Sequence, residues 1–326
     1  MIVNLPSLPG SVIAGTYRIN SPEYRIAKNG NEYLRLYLED RSGKVEAHVW
    51  YERYQGRLDC FAPQNKVSIQ ARLRCFGDRR IVDISSATQN DEVESPIDLI
   101  PASLCTNAEV LDRLQQIIAC IEIPALKKFL RNVFSEDRFL IPFCTVKASR
   151  QHHHSYTGGL LRHSVECAEI VSGISCFSAV ERELGVVAAL LHDCAKTVTM
   201  ANSGVASKKR TLLNHDMLTL EILSTHLHHM DMDWEDGAVA LRYLLSWNKG
   251  SFKPKVPAMA VAEAIASADR ISCGIERSEK AFAKVPENRS IVFEQGGKYY
   301  RPVCLDVIEP NEMPHTGGGS FFEAGF

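Results

Sequence analysis

Four blocks of residues, in chain order, could do chemistry together: His163, the doublet His192-Asp193, His215 and Asp269. Each lies in or beside a segment that reads as helix. Imidazole nitrogen with carboxylate oxygen suits a hard-to-borderline divalent cation such as Mn²⁺, Fe²⁺, Co²⁺ or Zn²⁺. The adjacent ligands of the doublet can face one metal, or the carboxylate can bridge two. Sites of this make-up usually activate water for hydrolysis. Lys196 follows Asp193 by about one helical turn, where it can neutralise a substrate phosphate or pair with the carboxylate. A single histidine is most often a satisfied core or surface residue. The ordered set resists that explanation, because a His-Asp doublet closing the apolar run 186–191 is costly to bury unless paired or bound to metal.

The elements that must hold these residues can be read from periodicity. His163 falls in residues 158–172, where Leu160, Leu161, Val165, Ala168 and Val171 fit a helix after the Gly158-Gly159 turn. The run 186–191 predicts a buried helix. Upstream, Val110, Leu111, Leu114, Ile117 and Ile118 recur at helical steps from Asn107, and Pro124 stands where a second helix can start. Helical pattern continues to about residue 284. Residues 290–294 and 299–307 then flank Gly296-Gly297 and predict a short hairpin, followed by a loose glycine-rich tail.

The first part of the chain reads differently. Segments 11–19, 32–39, 44–50, 67–74 and 80–85 predict five short strands separated by turn signals such as Asn29-Gly30 and Gly77-Asp78. Five strands in so short a stretch suggest a small closed barrel. Tyr33, Arg35 and Tyr37 share one face by alternation. With Trp50 they could stack bases, while Arg18, Arg25, Lys28, Arg35, Arg72 and Arg74 could meet phosphates. The competing readings are that Trp50 fills the barrel and that the arginines form a solvated face.

Composition sets the frame. The chain has 326 residues, 45% hydrophobic and 23% charged, as expected of a soluble globular protein with room for two domains. No apolar run predicts a transmembrane helix, and the N-terminus lacks the marks of a signal peptide. A cytoplasmic location is therefore expected, with the ten cysteines, none in a CxxC pair, as reduced and mostly buried thiols. Net charge is −2, yet residues 1–87 hold 13 Lys/Arg against 9 Asp/Glu, so any pull toward nucleic acid is local.

The runs Gly158-Gly159-Leu160-Leu161-Arg162-His163-Ser164, Leu190-Leu191-His192-Asp193-Cys194-Ala195-Lys196 and Ala268-Asp269-Arg270 resemble the HD superfamily of metal-dependent phosphohydrolases. Residues 11–275 resemble bacterial 3′-to-5′ exoribonucleases of the YhaM type, which join an OB-fold to an HD domain. Lys28-Asn29-Gly30, Tyr33-Leu34, Leu38-Glu39-Asp40, Ser42-Gly43 and Trp50 carry the N-terminal part of that likeness. The resemblance implies His163, His192, Asp193 and Asp269 as core metal ligands and His215 as ligand of a second metal. It also flags His152, His153 and His154 as ligands or strand contacts. One departure stands out. Where the family has a His-His pair before the final aspartate, this chain has Ser246-Trp247-Asn248, which implies one tightly held metal and a second position that is weak or empty.

The expected architecture is multidomain: an all-β OB-fold barrel (1–87), a polar linker (88–106), an all-α HD domain (107–285) and a C-terminal β-hairpin with a flexible tail (286–326). The expected activity is a Mn²⁺-dependent phosphodiesterase acting on single-stranded RNA or DNA, first of all a 3′-5′ exoribonuclease. Asp193, Lys196 and Arg162 would be its catalytic residues. Tyr33, Arg35, Tyr37, Trp50, Arg72, Arg74, His153 and His154 would bind the strand. No membrane partner is expected, and a homo-oligomer is compatible with the sequence. Alternatives are a DNA relaxase of a conjugative element, which residues 148–196 also resemble, a strand-binding protein with a decayed HD site, and a nucleotide phosphohydrolase.

Overall fold

The computed structural model describes residues 1–54, 56–77, 79–90, 93–104, 107–151, 153–200, 204–247, 256–294 and 297–302, with backbone only at 204–207. Alternation in the first part produces a closed barrel of β1 (Val12–Ile26), β2 (Glu32–Asp40), β3 (Gly43–Trp50), β4 (Lys66–Phe76) and β5 (Arg79–Gln89). Its order is β1-β2-β3-β5-β4, with β4 returning to β1 and β3 parallel to β5. This is the OB-fold arrangement. Leu36 and Leu38 point inward with Ile19, Val49, Val67, Leu73 and Val82, and all are buried. Tyr33, Arg35 and Tyr37 take the outer face, opposite Trp50, His48 and Glu46 on β3.

The first strand differs from its sequence reading. Asn20-Ser21-Pro22 predicts a break after residue 19, but the strand continues to Ile26. A bulge between Asn20 and Glu23 absorbs the irregular residues, with Ser21 at φ 47°. Proline lacks the N–H that a ladder needs, and a bulge excuses it from pairing.

The stretch read as a polar linker is a packed connection. It folds into two short 3₁₀ turns, Pro96–Leu99 and Ala102–Leu104, and buries Ile97, Leu99 and Ile100. The helices follow: α1 (Ala108–Cys120), α2 (Pro124–Ser135), α3 (Asp137–Thr145), α4 (Gly159–Ser172), α5 (Ala179–Leu191), α6 (Lys196–Thr199), α7 (Gly204–Leu212), α8 (His215–Ser246) and α9 (Val261–Phe282). Asn107 caps α1 by accepting from Val110 N–H, Pro124 takes the first turn of α2, and Ser178 with Glu181 forms a capping box on α5. Their apolar faces meet in one core that holds Leu160, Val165, Val187, Leu190, Leu223, Leu241 and Val261.

Residues Met1–Cys273 form one compact unit. Within it, barrel and helices are joined by charge. Arg18, fully buried, grips Asp137 with both terminal nitrogens and donates Nε–H to Leu99 O at 2.9 Å. Lys66 reaches the same carboxylate at 3.0 Å, and Arg41 pairs with Asp98 and Asp112. Arg18 is therefore a structural cation, not a phosphate partner. The second unit begins at Gly274. It contains the antiparallel hairpin β6 (Ile291–Glu294) and β7 (Gly297–Tyr300), with Arg301 over the Phe282 ring. Gly297 opens β7 and does not belong to the turn as read. The tail beyond residue 302 lies outside the described residues.

Removing one partner of a buried ion pair leaves the other uncompensated, which costs about 3–5 kcal/mol. Asp137→Ala should lower the unfolding free energy on that scale, measured by denaturant titration. A change within experimental error would show that Arg18 does not need Asp137.

Candidate metal centre and the barrel face

Local sequence places each ligand candidate. His163 lies in α4, whose start depends on two glycines. Gly158 adopts φ 81°, and a Cβ on Gly159 would collide with the carbonyl oxygen of His154. Gly185 lets α5 approach the start of α9, since a Cβ there would strike Val261. That approach carries His192 and Asp193, just past the end of α5, toward Asp269 on α9. His215 is the first residue of α8, behind the N-cap Asn214, whose side chain accepts from Asp216 N–H at 2.8 Å.

The side chains converge. His163 Nε2 lies 3.5 Å from Asp193 Oδ2 and 3.3 Å from Asp269 Oδ1. His192 Nε2 is 3.6 Å from Asp193 Oδ2, and His215 Nε2 is 3.1 Å from the other oxygen, Oδ1. The two oxygens of Asp193 thus face different imidazoles. Lys196 pairs with Asp193 Oδ2. A cleft of about 260 Å³ opens onto the group, lined by His192, Asp193, His215, Trp247, Asp269 and Arg270 among others.

Electrostatics follow from this crowding. Burial opposes ionisation of Asp193, yet Lys196 and the neighbouring histidines hold its carboxyl well below the ordinary range. Burial also opposes the His163 cation, but contacts with Asp193 and Asp269 prevail and raise its pKa to about 12. His215 rises in the same way to about 9. His192 is pushed down by burial and stays neutral. Its Nδ1–H donates to Ala189 O at 2.7 Å, so Nε2 carries the lone pair, buried and without a hydrogen-bond partner among the described residues.

Around this group lies a shell that the sequence reading missed. Ser272 Oγ sits 3.0 Å from His163 Nδ1 and donates to Glu166 Oε2 at 2.6 Å. Cys167 Sγ lies 3.9 Å from His163, and Cys273 Sγ lies 3.6 Å from Asp269 Oδ1. Burial raises both thiols, Cys273 to about 11, and each shares with His163 a group that could hold a cation, Cys167 together with His192 and Cys273 together with Asp269. A signal was present: Glu166 and Cys167 follow His163 by three and four residues, and Ser272 and Cys273 follow Asp269 likewise. Such positions share a helix face.

Two of the expected site residues have other tasks. His154 is fully buried, with Nδ1 3.2 Å from Tyr156 OH, so no strand can reach it. Arg162 donates Nε–H to Glu166 Oε1 at 2.7 Å, and its side chain is outside the cleft lining. His153 is half-buried with its ring 5.7 Å from that of His163. His152 and Asn248 lie outside the described residues.

On the barrel, planar groups form a ladder. Trp50 does not fill the barrel. It stacks on Tyr33 with centroids 4.7 Å apart, and the Arg74 guanidinium lies over both Trp50 and Phe76 at 5.6 and 5.5 Å. Asp83 fixes the ladder by accepting from Trp50 Nε1–H at 3.2 Å and Arg74 Nη2–H at 2.8 Å. Arg74, neutralised by Asp83, is therefore a stacking element more than a phosphate partner. Arg53 and Arg72, with no acidic partner in ion-pair distance among the described residues, line the adjoining cleft with Phe76. Arg35 donates to Tyr37 OH at 3.1 Å, and Lys44 lies over the Tyr37 ring. Phe76 and Arg53 were not expected from the sequence.

Residues 160–273 match the HD domain family. The chain carries an HD domain. Residues 101–211 also match the TraI_2 family, described as “Putative helicase”. Over most of its length the chain is similar to proteins named 3′-5′ exoribonuclease YhaM. It is 24% identical to that of Bacillus licheniformis and 25% to that of Bacillus subtilis, each alignment covering 87% of this chain and 93% of the relative. The Geobacillus protein is 22% identical over 93% of this chain and 94% of its own length.

An HD domain implies a divalent metal, and the donors here fit one. His163 Nε2 lies 3.5 Å from Asp193 and 3.3 Å from Asp269, and His192 Nε2, without a hydrogen-bond partner among the described residues, lies 3.6 Å from Asp193. In the metal-free chain His163 and His215 are cations at neutral pH. Their contacts with Asp193 stabilise the fold below the ordinary histidine pKa, and the His215 contribution fades as pH climbs through about 9. A cation ligated by His163 must displace the proton on its Nε2. Calorimetric titration at pH 7.5 in buffers of different ionisation enthalpy should therefore show release of about one proton, with affinity rising as pH increases. Binding without proton release would place the metal elsewhere.

Proposed function

We propose that the protein is a metal-dependent nuclease that degrades single-stranded RNA from its 3′ end, with Mn²⁺ as the working metal. The observation that carries this reading is the convergence of His163, His192, Asp193 and Asp269 in an HD domain that shares one compact unit with an aromatic-faced OB barrel. The relatives named as exoribonucleases support the substrate class.

In this reading His163, His192, Asp193 and Asp269 would hold the cation, which would supply water activation and positive charge for a phosphoryl oxygen. His215 stands at the second oxygen of Asp193. Lys196 stands ready to stabilise charge on a phosphate oxygen once a metal replaces it at Asp193. Arg270, exposed on the cleft rim, can meet the next phosphate. Leu244, Leu245 and Ile265 form the apolar wall that limits water access. Trp247 lines the cleft in the segment where the family pattern has imidazoles, which supports a weak second metal. On the barrel, Tyr33, Trp50, Phe76 and Tyr37 offer rings to bases, and Arg72, Arg53 and Arg35 offer charge.

The deciding experiment is incubation of the protein with 5′-labelled single-stranded RNA and DNA, with Mn²⁺ or EDTA. A ladder of RNA shortening from the 3′ end, abolished by EDTA and by Asp193→Ala, is expected. Phe76→Ala and Tyr37→Ala should each weaken single-strand binding by about 1–3 kcal/mol in filter binding. Unchanged affinity in both would remove the barrel face from the strand path. The TraI_2 match favours one second reading, a DNA-processing enzyme of a transfer element. A single discrete DNA product in the same assay would establish it in place of the first.

A further inference from the structure

We infer that Ser272 and Glu166 are positioning residues that fix the tautomer of His163 and so present its Nε2 to the metal. This rests on the reading of His163 as a ligand. The inference comes from counting protons in a closed, buried network. Ser272, His163 and His154 are fully buried, and Glu166 is 7% exposed. A hydroxyl has one proton to give and two lone pairs to accept with. Ser272 Oγ has three polar neighbours: Glu166 Oε2 at 2.6 Å, His163 Nδ1 at 3.0 Å and His154 Nε2 at 3.2 Å.

A carboxylate can only accept, so the hydroxyl proton goes to Glu166. Both imidazoles must then donate to Ser272. His163 is held as Nδ1–H, which leaves Nε2 as the ligating atom, aimed at Asp193 and Asp269. His154 is held as Nε2–H, so its Nδ1 accepts from Tyr156 OH at 3.2 Å. Arg162 Nε–H occupies the other oxygen of Glu166 and balances its charge within the same turn of α4. Every polar atom of Ser272 is thereby satisfied. Reversing the His163 tautomer would set two acceptors against each other and leave a buried hydroxyl lone pair unmatched. The network also explains two placements that the strand-binding and catalytic readings do not use, buried His154 and Arg162 paired with Glu166. A knot that only tied α4 to α9 would contribute to stability but would not decide which nitrogen of His163 carries the proton.

The test uses the full chain, stripped of metal and titrated with Co²⁺ while visible absorption is recorded. Ser272→Ala should raise the dissociation constant by about 10–100-fold, as loss of a partner to a ligating histidine does elsewhere, with the spectrum at saturation unchanged. Ser272→Thr keeps the hydroxyl and should restore most of the affinity. The RNA KM should stay at the parent value in both. Parent-like Co²⁺ affinity in a folded Ser272→Ala overturns the inference while leaving the metal reading intact. Failure of the parent to bind Co²⁺ overturns the metal reading and this inference with it. A second measurement needs no variant. Histidine ¹⁵N NMR of the Zn²⁺-loaded parent should show His163 protonated at Nδ1, and an Nε2–H tautomer overturns the proposal.

Discussion

A carboxylate buried among imidazoles is the constraint on which the rest of this molecule depends. Asp193 is 9% exposed and still ionised. Burying such a charge costs several kcal/mol unless partners surround it. Here the partners come from separate elements: His163 from α4, Lys196 from α6, His215 from α8. Asp269 of α9 completes the group through His163. No single helix could compensate the charge, so the helices must arrive together. The dry core of α5, the close approach at Gly185 and the tight entry to α4 at Gly159 all serve that meeting. The balance is also what makes the site responsive. A divalent cation here would bring two positive charges in place of the His163 proton and the Lys196 ammonium.

A second use of charge shapes the barrel. Its excess of basic residues suggests a groove for phosphate, but several of those residues are committed within the protein. Arg18, Arg41 and Lys66 join the barrel to the helical part, and Arg25, Arg57, Arg74 and Arg79 pair with neighbouring carboxylates. What remains on the outer face is a ladder of rings flanked by a few uncommitted cations. Such a face favours stacking over phosphate neutralisation. Strand binding there should depend less steeply on salt than the raw charge count would suggest, because fewer counterions are released.

The seam between barrel and helices has a functional consequence. Arg18 on β1, Asp137 at the start of α3 and Leu99 in the connection form a hydrogen-bonded junction with no room for water around the guanidinium. Under the proposed function, a strand on the barrel would be held by a body that includes the HD domain, in place of one swinging on a tether. The connection contributes to this rigidity, because Ile97 and Ile100 enter the helical core.

Periodicity in the sequence was enough for the barrel and for the helices α1, α2, α4 and α5, while the ordered set of histidines and aspartates was read from residue type. Alternation at residues 33–38 settles which face of β2 is wet, and the three- and four-residue steps settle α1, α2, α4 and α5, because burial of one face is a local pattern. The resemblance of the motifs around His163 and His192 likewise pointed to an HD domain. Three outcomes were decided by tertiary structure alone. Arg18 and Arg74 look like phosphate partners until the fold sets Asp137 and Asp83 beside them. His154 looks like a strand contact until α4 and α9 close over it. Ser272 and Glu166 are unremarkable letters until distant turns of α4 and α9 face each other. In each case the deciding partner is far away in sequence or across a strand pair, and a charge or a hydroxyl has no fixed role until its neighbour in space is known.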